Sequence, residues 1–191
     1  METLALLRCQ SSLEYLRQMN TTLNYQYLDT PLGRLRLVSD GHALLRIEFS
    51  DSHESDGQQR SDQVLQQTAT QLQQYFAGDR ETFSVPLAAQ GTEFQQGVWA
   101  ALRAIPFGET CSYRDIAESI GNPKAVRAVG AANGRNPIPI IVPCHRVIGS
   151  NGSLTGFAGG LAAKQQLLSL EGITIKSGVR SASDPQLVLV E

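Results

Sequence analysis

Apolar and polar positions alternate with a period of two in the first part of the chain, from Leu23 onwards. The apolar positions fall on both sides of a turn sequence, Ser39-Asp40-Gly41: Leu35, Leu37, Leu45, Ile47 and Phe49. This pattern is typical of a β-hairpin that buries one face. The apolar segment from Phe83 to Leu87 is predicted to add an edge strand, because Pro86 cannot donate a hydrogen bond to a central ladder.

Helical spacing follows a polar, loop-like stretch at residues 50–62. Apolar residues then recur every three to four positions and stop at Gly78, a common C-cap: Leu65, Ala69, Leu72 and Phe76. The first half is therefore predicted to be a small antiparallel sheet with one helix.

Helical spacing also dominates the second half of the chain. Thr92 and Gln95 have the spacing of a capping box, and the helix that they open carries an apolar stripe ending before Gly108: Phe94, Val98, Leu102 and Ile105. Ser112 is suited to cap a second, short helix that ends at Gly121.

A third helix is predicted from about Pro123 to Asn133, because Asn122 suits an N-cap and proline suits the first helical position. Two short helices joined by a tight turn with glycine indicate a helix-turn-helix. Many such pairs never contact DNA, so the pattern alone does not assign a nucleic-acid partner.

Three prolines, Pro137, Pro139 and Pro143, occur in the apolar stretch from Asn136 to Val147. Proline forbids a helix and the apolar residues require burial, so this stretch is predicted to be rigid, extended and buried. A glycine-rich loop from Gly152 to Gly160 then leads into a last helix that ends at Glu171-Gly172. The predicted fold is α+β, with an N-terminal extension (1–22), an N-terminal α/β domain (23–90), a mainly helical C-terminal domain (91–175) and a tail (176–191).

Composition narrows the class of protein. The chain has 191 residues, 41% of them hydrophobic, and a formal charge of −2, as in an ordinary globular protein. No stretch has the roughly 20 apolar residues of a membrane span, and the N-terminus lacks the features of a signal peptide, so we expect a cytoplasmic protein without a membrane partner. Three cysteines and three histidines without metal-ligand spacing predict neither a disulfide framework nor a metal site.

One cysteine has a potential base beside it, because Cys144 precedes His145 at the end of the proline-rich segment. A thiol reacts as the thiolate, so a nucleophilic cysteine needs a nearby base or cation. Glu171 is a candidate to orient the imidazole, since a carboxylate in the last turn of a helix faces the unfavourable end of the helix dipole. Against this interpretation, buried cysteines are more often inert apolar residues, and neighbours in a strand point to opposite faces.

Five motifs together resemble the O6-alkylguanine-DNA alkyltransferases. They are Ser112-Tyr113, Arg127-Ala128-Val129-Gly130, Asn136-Pro137 with Pro139, Pro143-Cys144-His145-Arg146-Val147, and Gly156-Phe157-Ala158-Gly159-Gly160-Leu161. The resemblance covers residues 23–173. It implies irreversible transfer of an alkyl group from O6-alkylguanine in DNA to Cys144, which repairs the base and consumes the protein, with O4-alkylthymine left open as a second substrate.

The resemblance also implies roles for individual residues. Cys144 is the nucleophile, His145 deprotonates it through a water molecule, Glu171 holds His145, and Asn136 fixes the active-site turn. Tyr113 donates a proton to N3 of the departing guanine. The alkyl pocket is expected to be lined by Pro139, Val147, Phe157, Ala158, Gly159 and Gly160.

The implied partner is double-stranded DNA that carries O6-alkylguanine, bound through the minor groove by a monomer that flips the damaged nucleotide out. Arg127 is expected to fill the gap in the duplex. The residues expected to lie close to the DNA are Ser112, Tyr113, Ala128, Gly130 and Ala131. From Gln95 to Ile175 the sequence has seven basic and four acidic residues. This local positive charge favours weak, salt-sensitive binding of DNA.

No cofactor is expected. Some relatives contain a structural zinc, but none is expected here because the zinc ligands are missing from the sequence. Phe157-Ala158 replaces the Tyr-Ser of some relatives, which leaves the range of alkyl groups open. Two alternatives remain at this point. One is a lesion sensor of the alkyltransferase-like class, which Cys144 disfavours, and the other is a hydrolase that uses Cys144 and His145 and turns over repeatedly.

Overall fold

The computed structural model describes residues 23–49 and 56–174, and the chain divides into two compact units after Thr92. The predicted N-terminal extension (1–22) and C-terminal tail (176–191) lie outside the described residues. No helix within the described ranges combines the length and apolar character needed to cross a bilayer.

The described residues of the first unit form a four-stranded sheet of order β3-β2-β1-β4 and one helix. Its elements are β1 (Asn24–Thr30), β2 (Gly33–Ser39), β3 (Leu44–Phe49), β4 (Gln58–Gln59) and α1 (Gln63–Ala77). The predicted hairpin corresponds to β2 and β3, which pair antiparallel, while the two-residue β4 pairs parallel with β1. Helix α1 buries Leu65 and Leu72 of the predicted stripe, whereas Ala69 and Phe76 are half-buried, and its C-cap is Gly78, whose φ of 82° is left-handed.

The predicted edge strand from Phe83 to Leu87 is wrong. This segment makes one isolated bridge, between Leu87 and Leu44, with hydrogen bonds from Leu44 N to Pro86 O at 2.8 Å and from Ala88 N to Leu44 O at 2.9 Å. Pro86 has no N–H to extend the ladder, so the pairing ends there.

Arg36 departs from the alternation of its strand. It is 1% exposed, although its position in the pattern places it on the polar face. Its guanidinium is 2.8 Å from the Glu48 carboxylate, 3.2 Å from that of Asp56 and 4.2 Å from the centre of the Tyr25 ring. Burial of this charge is therefore balanced by two carboxylates and a cation–π contact.

The second unit is mainly helical. It contains α2 (Glu93–Arg103), β5 (Cys111–Ser112), α3 (Tyr113–Ser119), α4 (Val126–Gly134), a 3₁₀ turn (Cys144–Arg146), β6 (Val147–Ile148) and α5 (Gly160–Leu170). The two short strands β5 and β6 pair in parallel and hold the start of α3 beside the end of the 3₁₀ turn. Ser112 caps α3 through a reciprocal capping box with Asp115.

The predicted start of the third helix is wrong by three residues. Helix α4 begins at Val126 with Ala125 as its N-cap, and Asn122 to Ala125 form a separate turn closed by a hydrogen bond from Ala125 N to Asn122 O at 2.9 Å. The fixed φ of Pro123 suits the second position of such a turn as well as it suits a helix start.

Candidate active site

The segment from Asn136 to Val147 is buried as predicted, but it is not extended. The Asn136 side chain donates to Val142 O at 2.8 Å and accepts from Ile138 N at 3.0 Å, so it closes the segment into a turn. Ile140, at the tip, has a φ of 76°, a strained conformation for a β-branched residue. The Asn136 side chain thus bonds to two backbone groups that an extended strand would pair with a neighbouring strand.

A single 3₁₀ turn carries the Cys-His pair. Its residues follow Pro143, and Arg146 N donates to Pro143 O at 3.0 Å. Cys144 is 4% exposed and His145 is fully buried. Because this turn is not a strand, the argument that neighbouring side chains must point to opposite faces does not apply.

His145 and Glu171 are in direct contact. His145 Nε2 lies 2.8 Å from Glu171 Oε1, and both side chains are fully buried. A carboxylate only accepts, so Nε2 carries the proton and Nδ1 is left as the basic nitrogen. Nδ1 has no hydrogen-bond partner among the described residues. The imidazole is therefore oriented by one nitrogen and able to accept a proton at the other.

Arg146 is a site residue that the sequence reasoning missed. Its Nε lies 2.8 Å from Glu171 Oε2 and its Nη2 lies 2.9 Å from Oε1, a two-point ion pair, while Nη1 donates to Ile105 O at 2.7 Å. The charge count from the sequence included this arginine among the residues that favour DNA binding. It is 6% exposed and its charge is neutralised by Glu171. Its position within the Pro-Cys-His-Arg motif was the available signal.

Lys164, on α5, is also buried rather than facing DNA. It is 0% exposed, and its Nζ donates to Val147 O at 2.6 Å and to Thr155 O at 2.8 Å. Burial lowers the pKa of this ammonium to about 8, against the opposing effect of Cys144. Lys164 ties the strand after the 3₁₀ turn to the loop before α5.

The electrostatics of the Cys144–His145 pair do not favour a thiolate at rest. Burial raises the pKa of Cys144 to about 11, although hydrogen bonding from Asn136 and the charge of Lys164 act in the opposite direction. Burial also lowers the pKa of His145, which Glu171 opposes and Arg146 reinforces. The pair therefore rests as a neutral thiol and a neutral imidazole, and the thiol needs a base to react.

A cleft of about 520 Å³ opens between the start of α3, α4 and the loop before α5. Its lining includes Tyr113, Arg127, Gly130, Thr155, Phe157 and Ala158. The Tyr113 hydroxyl is 2.9 Å from Thr155 Oγ1, and the Phe157 ring meets the His145 ring edge-on at 6.4 Å between centres. Four residues expected in the pocket do not line this cleft: Pro139, Val147, Gly159 and Gly160.

Helix α4 presents small and basic residues to solvent. Arg127, Ala128 and Ala131 are exposed, and Gly130 packs against Tyr113, whose ring lies 3.8 Å from where a Cβ would stand. With Arg146, Lys164 and Glu171 buried, the seven-to-four charge count becomes five exposed basic residues against three acidic ones. The basic ones are Arg103, Arg114, Lys124, Arg127 and Arg135.

Known proteins resemble both units. Residues 23–89 match the family model described as 6-O-methylguanine DNA methyltransferase, ribonuclease-like domain, and residues 93–173 match 6-O-methylguanine DNA methyltransferase, DNA binding domain. A methylated-DNA–protein-cysteine methyltransferase of Methanosarcina acetivorans is 49% identical over 152 residues, which is 78% of this chain and 97% of the relative. The constitutive enzyme of Bacillus subtilis is 48% identical over 160 residues, 80% of this chain and 97% of its own.

Solved structures give the same result. The crystal structure of Mycobacterium tuberculosis OGT in complex with DNA superposes with a TM-score of 0.74 at 47% identity, and covers 78% of this chain and 92% of its own. These relatives share the α+β arrangement described above.

Proposed function

The chain belongs to the 6-O-methylguanine DNA methyltransferase family, and on that premise we propose that Cys144 accepts the alkyl group. The protein binds DNA and repairs it directly, by moving an alkyl group from the DNA to a cysteine of its own chain. The proposal concerns which residues do this, on which lesion and in what order. It also includes single use, since a thioether at Cys144 has no route back to a thiol.

His145 removes the proton from Cys144 through its Nδ1 atom, directly or through one water molecule. The thiol pKa of about 11 means that very little thiolate exists at neutral pH without such a base. Glu171 holds the imidazole by the 2.8 Å contact to Nε2 and stabilises the imidazolium that forms. Arg146 neutralises the carboxylate through a two-point ion pair and fixes it in place.

The thiolate then attacks the alkyl carbon attached to O6 of guanine. A sulfur–carbon bond forms as the carbon–oxygen bond breaks, and its electron pair stays with the purine. Tyr113 lies in the cleft and donates its proton to N3, because a neutral purine departs more readily than its anion. Phe157 and Ala158, which line the cleft, contact the flipped base in this proposal.

DNA binds on the α4 side, in the minor groove, with the damaged nucleotide turned out into the cleft. O6 of a stacked, paired guanine cannot reach a thiol that is 4% exposed, so extrusion is required. Ala128 and Ala131 let α4 approach the groove, and Arg127 fills the space left in the stack. Action as a monomer is part of the proposal.

The observation that carries the proposal is the buried His145–Glu171 contact beside Cys144. Its test is mass spectrometry of the intact protein after incubation with duplex DNA containing O6-methylguanine. We expect one added methyl group, located by peptide mapping on Cys144, and loss of transfer in Cys144→Ser. Cys111→Ser is the matched control and should react normally.

Methylation of another residue, or transfer by Cys144→Ser, would contradict the assignment. Many repaired guanines per protein molecule would indicate an enzyme with turnover instead.

A further inference from the structure

Within the described part of the chain, the Tyr113 hydroxyl is hydrogen-bonded to one side chain, that of Thr155. Its oxygen lies 2.9 Å from Thr155 Oγ1, and either atom can be the donor. Both residues are half-buried and both line the cleft. A tyrosine that gives up its proton needs a donor to its oxygen at that moment, and a threonine hydroxyl can become one by rotation.

Thr155 is held by its backbone as well as by its side chain. Its carbonyl accepts from Lys164 Nζ at 2.8 Å, and the same ammonium donates to Val147 O at 2.6 Å. β6, which begins at Val147, pairs with β5, which ends at Ser112, immediately before Tyr113. The hydroxyls of Thr155 and Tyr113 are thus fixed relative to each other from both sides of the cleft.

We propose that Thr155 is a positioning residue for the proton donor: its hydroxyl aims the Tyr113 O–H at the purine and donates to the phenolic oxygen as the proton leaves. The inference rests on the proposed role of Tyr113 and deepens it. Without substrate the Tyr113 O–H can donate to Thr155. With the flipped purine in place, the direction of this hydrogen bond reverses.

The protons balance in this sequence. The Cys144 proton goes to His145, the sulfur–carbon bond forms, and the carbon–oxygen bond breaks with its electrons on the purine. N3 takes the Tyr113 proton, which leaves a phenolate that accepts from Thr155, and the phenolate later regains a proton from solvent. A hydrogen bond to a developing charge is stronger than one to a neutral group, so the contact stabilises the transition state more than the ground state.

The first test compares Thr155→Val, which keeps the shape and removes the hydroxyl, with Thr155→Ser, which keeps the hydroxyl. Single-turnover transfer from O6-methylguanine duplex should slow about 10-fold to 100-fold in Thr155→Val and by less than about 3-fold in Thr155→Ser. Affinity for unmodified duplex should change by less than about 2-fold. Thr110→Val, in a separate cavity of about 490 Å³, is the matched control and should react normally.

A double-mutant cycle with Tyr113→Phe separates positioning from a general structural role. If Thr155 acts through the phenol, Thr155→Val should add no further loss in the Tyr113→Phe background. Free O6-benzylguanine should show the same loss in Thr155→Val as the duplex, because its purine also leaves through N3 protonation. A contact between Thr155 and the DNA backbone would instead slow only the duplex reaction.

Three results would overturn the inference: full activity of Thr155→Val when Tyr113→Phe is slow, additive losses in the double variant, or an equal loss in Thr155→Ser. If Tyr113→Phe itself reacts at the native rate, the proposed role of Tyr113 fails instead. Circular dichroism of each variant shows whether it is folded.

Discussion

One carboxylate serves two side chains at the centre of the second unit. Glu171 contacts the imidazole of His145 and the guanidinium of Arg146, and all three side chains are buried. The sequence suggested the first contact from a carboxylate at a helix C-terminus. The second was not predicted, because an arginine in a DNA-binding domain is more often exposed than buried and its place in the Pro-Cys-His-Arg motif was the only signal.

The pH dependence of transfer should follow His145 rather than Cys144. Its pKa lies below the ordinary 6.5, so the imidazole is neutral and able to act as a base above that pH, and the rate should fall only as the pH drops below about 6.5. The measurement is the rate of transfer from free O6-benzylguanine from about pH 5 to pH 9. In His145→Ala the rate should be orders of magnitude lower near neutrality and rise about tenfold per pH unit towards the thiol pKa of about 11.

A plateau of His145→Ala near pH 8.5 would show a thiol that ionises like a free cysteine. An unchanged acid limb in that variant would mean that another group controls it.

Glu171→Gln should cost stability as well as rate. The amide cannot neutralise Arg146, so a buried guanidinium loses its counter-charge, a loss of about 3–5 kcal/mol in the free energy of unfolding. Urea denaturation followed by circular dichroism measures this, and Glu109→Gln, at an exposed position, is the control. Equal stabilities of the two variants would show that the ion pair does not form in solution.

At the scale of elements, local sequence signals predicted those helix boundaries that local interactions determine. The apolar spacing and Gly78 gave α1, and Ser112 gave the capped start of α3. The fold of residues 136–147 depends instead on the Asn136 side chain bonding to two backbone groups and on a left-handed Ile140. Proline spacing excludes a helix there, but it does not distinguish a strand from a buried turn.

Arg36 shows that the local pattern of a strand does not predict burial that depends on distant partners. Alternation placed it on the polar face, whereas tertiary partners from β3 and from the chain before β4 allow it to be buried. No local pattern contains those partners, since Asp56 is twenty residues further along the chain.

Asp62 links three elements of the first unit and offers a stability test. It caps α1 by accepting from Leu65 N at 2.9 Å, and it accepts from Asn24 of β1 at 2.9 Å and from Ser39 of β2. Asp62→Ala should lower the free energy of unfolding by about 1–3 kcal/mol, measured by urea denaturation. Asp79→Ala, exposed just beyond α1, should change it little.

The effect of Asp62 should also depend on pH. Burial opposes its ionisation, but hydrogen bonds from Ser39, Leu65 and Asn24 outweigh burial and hold the pKa below 3.8. Its contribution is therefore complete above that pH and lost as the pH falls through the lower folded value. The stability difference between the native protein and Asp62→Ala should narrow only in that acidic range.

For the whole molecule, a net charge of −2 is compatible with DNA binding because the charges are unevenly exposed. Five basic residues are exposed among the described residues of the second unit, and together they can neutralise about five phosphates. If these five residues make the phosphate contacts, the logarithm of affinity for unmodified duplex should fall with the logarithm of salt concentration at a slope of about −4.5. Fluorescence anisotropy from about 50 to 200 mM salt measures it, and a slope near zero would contradict phosphate contact.

Extrusion of the nucleotide and chemistry at the thiol can be separated through Arg127. This side chain is exposed on α4 and lines the cleft, and it takes no part in the contacts among His145, Glu171 and Arg146. A group that fills the gap in the stack offsets part of the few kcal/mol lost in unpairing and unstacking, so Arg127→Ala should strongly slow repair of an alkylated duplex. Free O6-benzylguanine requires no extrusion and should react at nearly the native rate.

Arg103→Ala removes the same charge from the exposed end of α2 and serves as the matched control for this comparison. It should weaken duplex binding slightly through the lost charge but leave the repair rate of bound duplex intact. Because both variants lose one positive charge, a difference between them isolates the position of Arg127 from general electrostatics. Matched losses of Arg127→Ala on the duplex and on the free base would instead assign Arg127 to the fold or to the active site, and would remove α4 from the proposed DNA-facing surface.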